Sequence, residues 1–547
     1  MVTALAIGSI IVLVCISSGQ FIHRFGMPAL IIFLVLGVLA GSLPDLLPGH
    51  HVFAYEVISP HTAELIGEAA LIFVMFYGGF GTSWKTAKPV AVQAGLLASV
   101  GVVITAGAVM LFVHFVLQLG WLESFLFGSI ISCTDAASVF SILRTKKMNL
   151  KHNTVSVLEI ENGSNDPTAY LLTLTALLLM QGGSLLEVPL LVAKQIVFGA
   201  LVGVAVALVA VPLIMRFARH FADGMDLLFV FAIAVLSFAL SQLLGGNGYL
   251  SAFLCGIILG NSAIPNKVRM AHFFDSVDWL GQIMIFFVLG LLVQPANLLP
   301  AILPALGLAL FLLIIARPLA VFLIFKLRGA PVRQCLLISW VGLRGAASLV
   351  FAVLATTTLA HAGADGGQLL QSDIFHIVVL TAFFSILLQG TLLEKVAQRL
   401  EMIDTETDVM ASFTDFQGLA EKAFLKMRIR EEHPWLGKAV RDLEIGQDSL
   451  IVLIKRGEET LAPRGDTVIE ADDVLVVSGE AYDESDDAQI EQIVIDDDNP
   501  WANQLISEVK LPPNNLIVSV DRADGSTVVP KGWTRLHVGD TLTIISL

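Results

Sequence analysis

Within the largely apolar stretch 153–180, one short run gathers Glu159, Glu161, Asn162, Ser164, Asn165, Asp166, Pro167 and Thr168. Read as a helix rising 1.5 Å per residue, it puts Asp166 about 20 Å from Asn153, around the middle of a hydrocarbon layer about 30 Å thick. Asn162, Asn165 and Asp166 share a face by the i, i+3, i+4 rule, and Glu161 with Asn165 forms the adjacent edge. Pro167 lacks the amide that would bond the Gly163 carbonyl. A carboxylate, amide oxygens and a freed carbonyl are what a hard monovalent cation takes in exchange for its water. Ionisable groups in hydrocarbon cost at least a few kcal/mol each, which favours an ion site over a plain hydrogen-bonded knot between helices. Glu161 alone reads differently: Arg344, inside the apolar run 335–359, must find an anion, and Glu161 is the expected partner in a structural ion pair.

Two further runs put a lone charge beside small residues: Ser132-Cys133-Thr134-Asp135 and Gly342-Leu343-Arg344-Gly345. Both predict broken helices that cross, with Asp135 quieting the positive ends and Arg344 the negative ones. Thr134 and Asp135 suit this dipole role and cation ligation equally. Arg317 and Asp226 are expected to form an ion pair near one membrane face. Glu64 and Glu68, one turn apart, read as headgroup-level residues rather than a funnel lining. The twelve His are scattered and mostly in loops, and His23, His152 and His220 read as solvated.

The elements that hold these residues follow from composition. Of 547 residues 56% are hydrophobic and 14% charged, with a mean hydropathy of +0.80, which excludes an ordinary soluble protein. Residues 1–393 carry a net charge of +1 and 394–547 a net charge of −16, so an apolar part precedes an acidic, water-facing tail. Nucleic-acid binding would need clustered Lys and Arg and is not expected. Cys15, Cys133, Cys255 and Cys335 all sit in apolar runs, with no disulfide or metal spacing. Residues 1–19 lack the basic start of a secretory signal and read as a first span.

Thirteen apolar segments are long enough to cross a bilayer: 2–19, 28–44, 61–81, 89–118, 121–142, 153–180, 188–217, 225–244, 246–261, 271–293, 298–326, 333–359 and 373–393. Alternate loops hold fourteen Lys and Arg and the intervening loops none, which predicts the N-terminus outside and the C-terminus in the cytoplasm. Asp135-Ala136-Ala137-Ser138 returns as Gly345-Ala346-Ala347-Ser348 at an offset of 210, seven spans on, as Gly37–Gly41 does at Gly256–Gly260. An odd separation reverses direction, so the predicted architecture is an all-α membrane domain with an inverted repeat, as secondary transporters have. A second repeat lies in the tail. His433-Pro434-Trp435, Leu450-Ile451-Val452, Arg456 and Asp473-Val474-Leu475 return as Asn499-Pro500-Trp501, Leu516-Ile517-Val518, Arg522 and Asp540-Thr541-Leu542, at an offset of 66, later 67. The expected organisation is a transmembrane domain (1–393), a charged helical linker (394–430) and two small α+β modules (431–484 and 485–547). No Gly-x-Gly-x-x-Gly fingerprint occurs in the tail, so no Rossmann nucleotide domain is expected.

Asn165-Asp166, with Thr134-Asp135, Glu161 and Gly342-Leu343-Arg344-Gly345, resembles the monovalent cation/proton antiporter superfamily in its NhaP/NHE branch, over residues 1 to about 395. The resemblance implies that Asp166 carries the cation or the proton, that Thr134 and Asp135 help to coordinate it, that Glu161 and Arg344 form the structural pair, and that the protein is a homodimer. Many relatives have Ser where this chain has Asn162. The first tail module looks like a TrkA-C domain; the second resembles it or a transporter-associated domain. The implied function is exchange of cytoplasmic K⁺ or Na⁺ for external H⁺ in a bacterial inner membrane, serving pH homeostasis. It needs no cofactor and no enzymatic step, and the tail would bind a small ligand. A carboxylate far from water takes either a proton or a cation, and with Asn165 rather than a second Asp beside it the exchange is expected to be one for one and electroneutral. A cation channel gated by the tail is the alternative.

Overall fold

The computed structural model describes residues 13–15, 17, 29–46, 58–146, 148–217, 224–361, 367–404 and most of 422–546. The chain forms two compact units, Met1–Phe416 and Gln417–Leu547.

The first unit is helical. In chain order its helices are α1 (Ala29–Leu46), α2 (Pro60–Gly81), α3 (Ala91–Val116), α4 (Trp121–Ile131), α5 (Ala136–Thr145), α6 (Thr154–Met180), α7 (Val188–Phe217), α8 (Met225–Leu243), α9 (Gly248–Asn261), α10 (Lys267–Leu291), α11 (Pro295–Arg328), α12 (Val332–Trp340), α13 (Ala346–His361) and α14 (Gly367–Ser385). A π turn, Ile386–Gly390, carries α14 on into a last helix, Thr391–Arg399. Among the described residues seven helices are long and apolar enough to cross a membrane: α2, α3, α7, α8, α10, α11 and the continuation of α14 from Ile374 to Arg399. Helices α1, α4, α9 and α13 are apolar but shorter. Helix α6 has the length, but Glu159, Glu161 and Asp166 interrupt its apolar character. Only 28% of the spanning window of α7 or α11 is buried, and Leu201, Leu208, Leu303 and Ile314 face outward. So much exposed aliphatic surface suits lipid rather than water.

The expected segments 121–142 and 333–359 are each two helices, parted by non-helical backbone at Cys133–Asp135 and Val341–Gly345. The expected span 2–19 lies almost wholly outside the described residues. Helices α2 and α9 touch backbone to backbone. A Cβ added at Gly79, Gly256 or Gly260 would come within 2.1–2.3 Å of a carbonyl oxygen on the facing helix, so only glycine permits this seam. Two short strands, β1 (Asn149–Leu150) and β2 (Ile403–Asp404), pair antiparallel, and Lys151 N donates to Met402 O at 2.9 Å.

The second unit holds two four-stranded antiparallel sheets of one design. The first runs β3 (Lys422–Arg428), β6 (Val474–Glu480), β4 (Leu450–Arg456), β5 (Glu459–Leu461), and the second runs β7 (Gln489–Val494), β10 (Thr541–Ser546), β8 (Asn515–Asp521), β9 (Thr527–Val528). The core of the first, Ile429, Ile451, Ile454, Ile469 and Leu475, recurs in the second as Ile495, Ile517, Val520, Leu536 and Leu542. Those pairs carry the offset of 66 and then 67 found in the sequence. Two expectations change. Lys422–Arg428, assigned to the helical linker, is an edge strand that pairs antiparallel along the whole of β6. The described residues of each module hold strands and single 3₁₀ turns, Val440–Asp442 and Ile506–Glu508, without an α-helix.

Each module has a charged pair at the same place. Arg456 Nε and Nη2 donate to Asp473 at 2.8 Å, and Arg522 bonds to Asp540 in the same place. The Arg456 hydrogen bonds hold the Asp473 carboxyl below its ordinary value against the opposing effect of burial. A group whose folded pKa is depressed stabilises the fold at neutral pH, and the contribution fades as pH falls below about 4 through the folded value. Hydrogen exchange of the β4 and β6 amides, corrected for intrinsic rates, should therefore speed up below that pH. Arg456→Met should lower protection at pH 7 and flatten the pH dependence.

Candidate ion-binding site at two helix breaks

The two breaks meet. Asp135 N donates to Leu343 O at 2.8 Å, and a Cβ at Gly345 would fall 2.2 Å from Asp135 Oδ2, so the carboxylate occupies the space where a side chain would be. Asp135 thus lies just before α5 and against the residue that precedes α13, two N-termini whose partial positive charge it offsets. Ser138, one turn into α5, donates to Asp135 Oδ2. Gly345→Ala should push this carboxylate away and lower the initial exchange rate about ten-fold or more, read as dye dequenching in everted vesicles.

Arg344 serves the opposite ends. Its Nη1 donates to the carbonyls of Ser132 and Cys133 at 2.7 and 2.5 Å, the last acceptors of α4, which the broken helix leaves without partners. The expected Glu161–Arg344 pair does not form. Glu161, fully buried, receives Arg317 instead, Nη1 to Oε1 at 2.8 Å and Nη2 to Oε2 at 2.9 Å. The expected Asp226–Arg317 pair does not form either: Asp226 accepts from Arg269 at 2.9 Å and Asn266 at 3.0 Å. Depth explains the exchange of partners. Arg317 lies about 16 Å along α11 from Arg328 and Glu161 about 10 Å into α6, whereas Asp226 is the second residue of α8. The pair of Gly342 and Arg317 also matters, since the arginine chain packs within 3.1 Å of where a Gly342 Cβ would be.

Thr134 Oγ1 lies 2.5 Å from Asn162 Oδ1 and 3.3 Å from Glu161 Oε1, and Asn165 Nδ2 donates to Thr134 Oγ1 and to Glu161 Oε1. These bonds lock the Thr134 break to α6. Asp166 is 5% exposed, and its Oδ1 has no hydrogen-bond partner among the described residues. Asn165 Oδ1 and Asn162 Nδ2 are likewise buried without one. Beside them lies a cleft of about 400 Å³ including its open mouth, lined by Thr134, Asp135, Asn162 and Asp166, by Cys133 and Ser348, and on its apolar wall by α2. The unpartnered Asp166 oxygen, with the Asp135 carboxylate and the Thr134 and Asn162 oxygens on the same cleft, is a fit for a monovalent cation as cargo. Among the described residues no group of three or more His, Cys, Asp or Glu forms the cage a resident metal would need.

Of the expected ion-site residues, Asp166, Asp135, Thr134 and Asn162 reach the cleft, while Asn165 supports it from behind. Sequence reasoning missed Ser138 and Ser348, and it placed Cys133 and Gly345 at the helix breaks without a part in the cleft. Ser138 and Ser348 carried a signal, because they are the matching ends of the repeat at offset 210.

A carboxylate inside an apolar helical unit, at the junction of two interrupted helices and facing a cleft, defines a membrane transporter of the secondary type. The chain belongs to the sodium/hydrogen exchanger family: the family described as "Sodium/hydrogen exchanger, transmembrane" matches residues 9–399, and the TrkA-C domain matches 425–484 and again 490–546. It is a transporter of that family and not an enzyme. It is 30% identical over 548 residues, 99% of this chain and 92% of the relative, to the K(+)/H(+) antiporter NhaP of Alkalimonas amylolytica. To the K(+)/H(+) antiporter NhaP2 of Shewanella oneidensis it is 32% identical, over 87% of this chain and 80% of that one. The fold is that of the sodium proton antiporter MjNhaP1 from Methanocaldococcus jannaschii, with a TM-score of 0.61 at 21% identity, covering 73% of this chain and 99% of the other.

Proposed function

We propose that the protein exchanges cytoplasmic K⁺ for external H⁺, one for one, by alternating access of the Asp166 site to the two sides of a bacterial inner membrane. The single observation that carries this reading is Asp166 itself, buried in α6 with an unpartnered oxygen beside the cleft. A proton and a cation compete for that one charge, and a site that must carry one or the other as it turns couples the two flows. The ligands are Asp166, Asp135, Thr134 and Asn162, with Asn165 tying Thr134 to Glu161. K⁺ rather than Na⁺ is favoured by the two relatives named as K(+)/H(+) antiporters and by the tandem TrkA-C modules. Thirteen spans in an inverted repeat, with crossed broken helices, an outer N-terminus, a cytoplasmic tail and a homodimer, complete the reading.

The test is dequenching of a pH dye in proteoliposomes on adding K⁺, Na⁺ or Li⁺. K⁺ should give the largest response at a rate indifferent to imposed membrane potential, and a potential-dependent rate would overturn the one-for-one exchange. We extend the proposal to regulation: the tail binds a small cytosolic ligand and acts through the β1–β2 pair, since β2 opens the segment toward the tail and β1 joins α5 to α6. Removing 405–547 should abolish any response to cytosolic ligand, and identical titrations for the two forms would remove the regulatory role.

A further inference from the structure

In the Val341–Gly345 break only the two end residues keep helical bonds, Val341 N to Leu337 O at 2.9 Å and Leu349 N to Gly345 O at 3.3 Å, so the stretch between them must be fixed from outside. The π turn Ile386–Gly390 is that support. Arg344 N donates to Ser385 Oγ at 3.1 Å, and Ser385 Oγ donates in turn to Gln389 Oε1 at 2.9 Å. From the other side of the break, Trp340 Nε1, at the end of α12, donates to the Gln389 main-chain oxygen at 3.1 Å. A π turn widens the helix by one residue and withdraws a carbonyl from the regular ladder, and such turns are found mostly where function bends a helix. Ser385 and Gln389 are 5% and 3% exposed, so water does not compete for these bonds. Arg344 then passes the constraint on, through Nη1 to the Ser132 and Cys133 carbonyls, while its neighbour Leu343 accepts from Asp135 N.

We infer that Ser385, Gln389 and Trp340 form a positioning triad for the ion site, a clamp built on the π turn of α14 that sets where Asp135 and Thr134 stand relative to Asp166. None of the three touches the cation. The inference rests on the antiporter reading and deepens it by naming what holds one wall of the site in register. It makes the cation affinity of the site depend on a hydroxyl that lies outside the cleft.

Steady-state exchange by the full chain in proteoliposomes tests it, with K⁺ concentration and pH varied. Ser385→Ala should raise the KM for K⁺ about ten-fold, change the maximal rate less than about two-fold, and displace the pH profile, because the site is misplaced rather than removed. Ser385→Thr, which keeps the hydroxyl, should restore the wild-type KM. Trp340→Phe removes only the indole N–H and should give a smaller rise in KM; it carries the test where Ser385→Ala does not fold. A KM and pH profile equal to wild type in the folded variants, with only the maximal rate scaled by the amount of protein, would overturn the inference while leaving the antiporter reading intact. Full exchange by Asp166→Asn would overturn that reading instead.

Discussion

Asp166→Asn should reduce exchange of every cation by at least about a hundred-fold while the protein still folds and inserts. The amide has nearly the volume of the carboxyl, so packing is conserved. It cannot take up a proton or neutralise a cation. Because the native carboxylate leaves Oδ1 without a hydrogen bond among the described residues, the substitution breaks no bond of that oxygen and removes a charge that is costly to bury. Thermal stability in detergent should therefore be equal to wild type or higher, as activity vanishes. Undiminished dye dequenching by this variant would end the single-site account.

The second large effect is on stability. Arg317→Ala leaves the fully buried Glu161 without its two charge-assisted bonds, and breaking a buried pair from one side costs about 3–5 kcal/mol. Glu161 also accepts at 3.2–3.3 Å from Asn165 and Thr134, so the loss should spread to the ion site and lower affinity as well as melting temperature. Combining Arg317→Met with Glu161→Gln should recover much of the stability, since the penalty lies in the orphaned charge. Arg344→Ala should not be rescued by any change at Glu161, because those two residues are not partners. Rescue of that kind would contradict the pairing described above.

Much of this was readable beforehand, and the reasons differ from residue to residue. Asp166 stood out because a carboxylate deep in an apolar run has few explanations. The helix breaks at Thr134-Asp135 and Arg344-Gly345 were marked by small residues beside single charges, and the duplicated tail by matched spacing that fixes even the five core positions of each module. Partner choice was hidden. Glu161, Arg317, Arg344 and Asp226 offer two acids and two bases, and sequence ranks them by type when the deciding quantity is depth along tilted and broken helices. Ser385 and Gln389 were equally out of reach, because their role depends on a π turn that no composition signals. The strand Lys422–Arg428 was misread because its charged ends suit a solvated helix, and only the β6 edge beside it tips the balance.

The glycine-only seam between α2 and α9 has one more implication. The α2 side chains Leu71, Val74 and Met75 form the greasy flank of the cleft, so that flank is welded to a helix remote from the carboxylate in sequence. Any swing that uncovers the ion must carry both helices as a single slab, and with them the lipid-facing helices α7 and α8 against which α9 packs. Turnover should consequently respond to the stiffness of the surrounding bilayer, slowing in gel-like lipid far more than cation binding does.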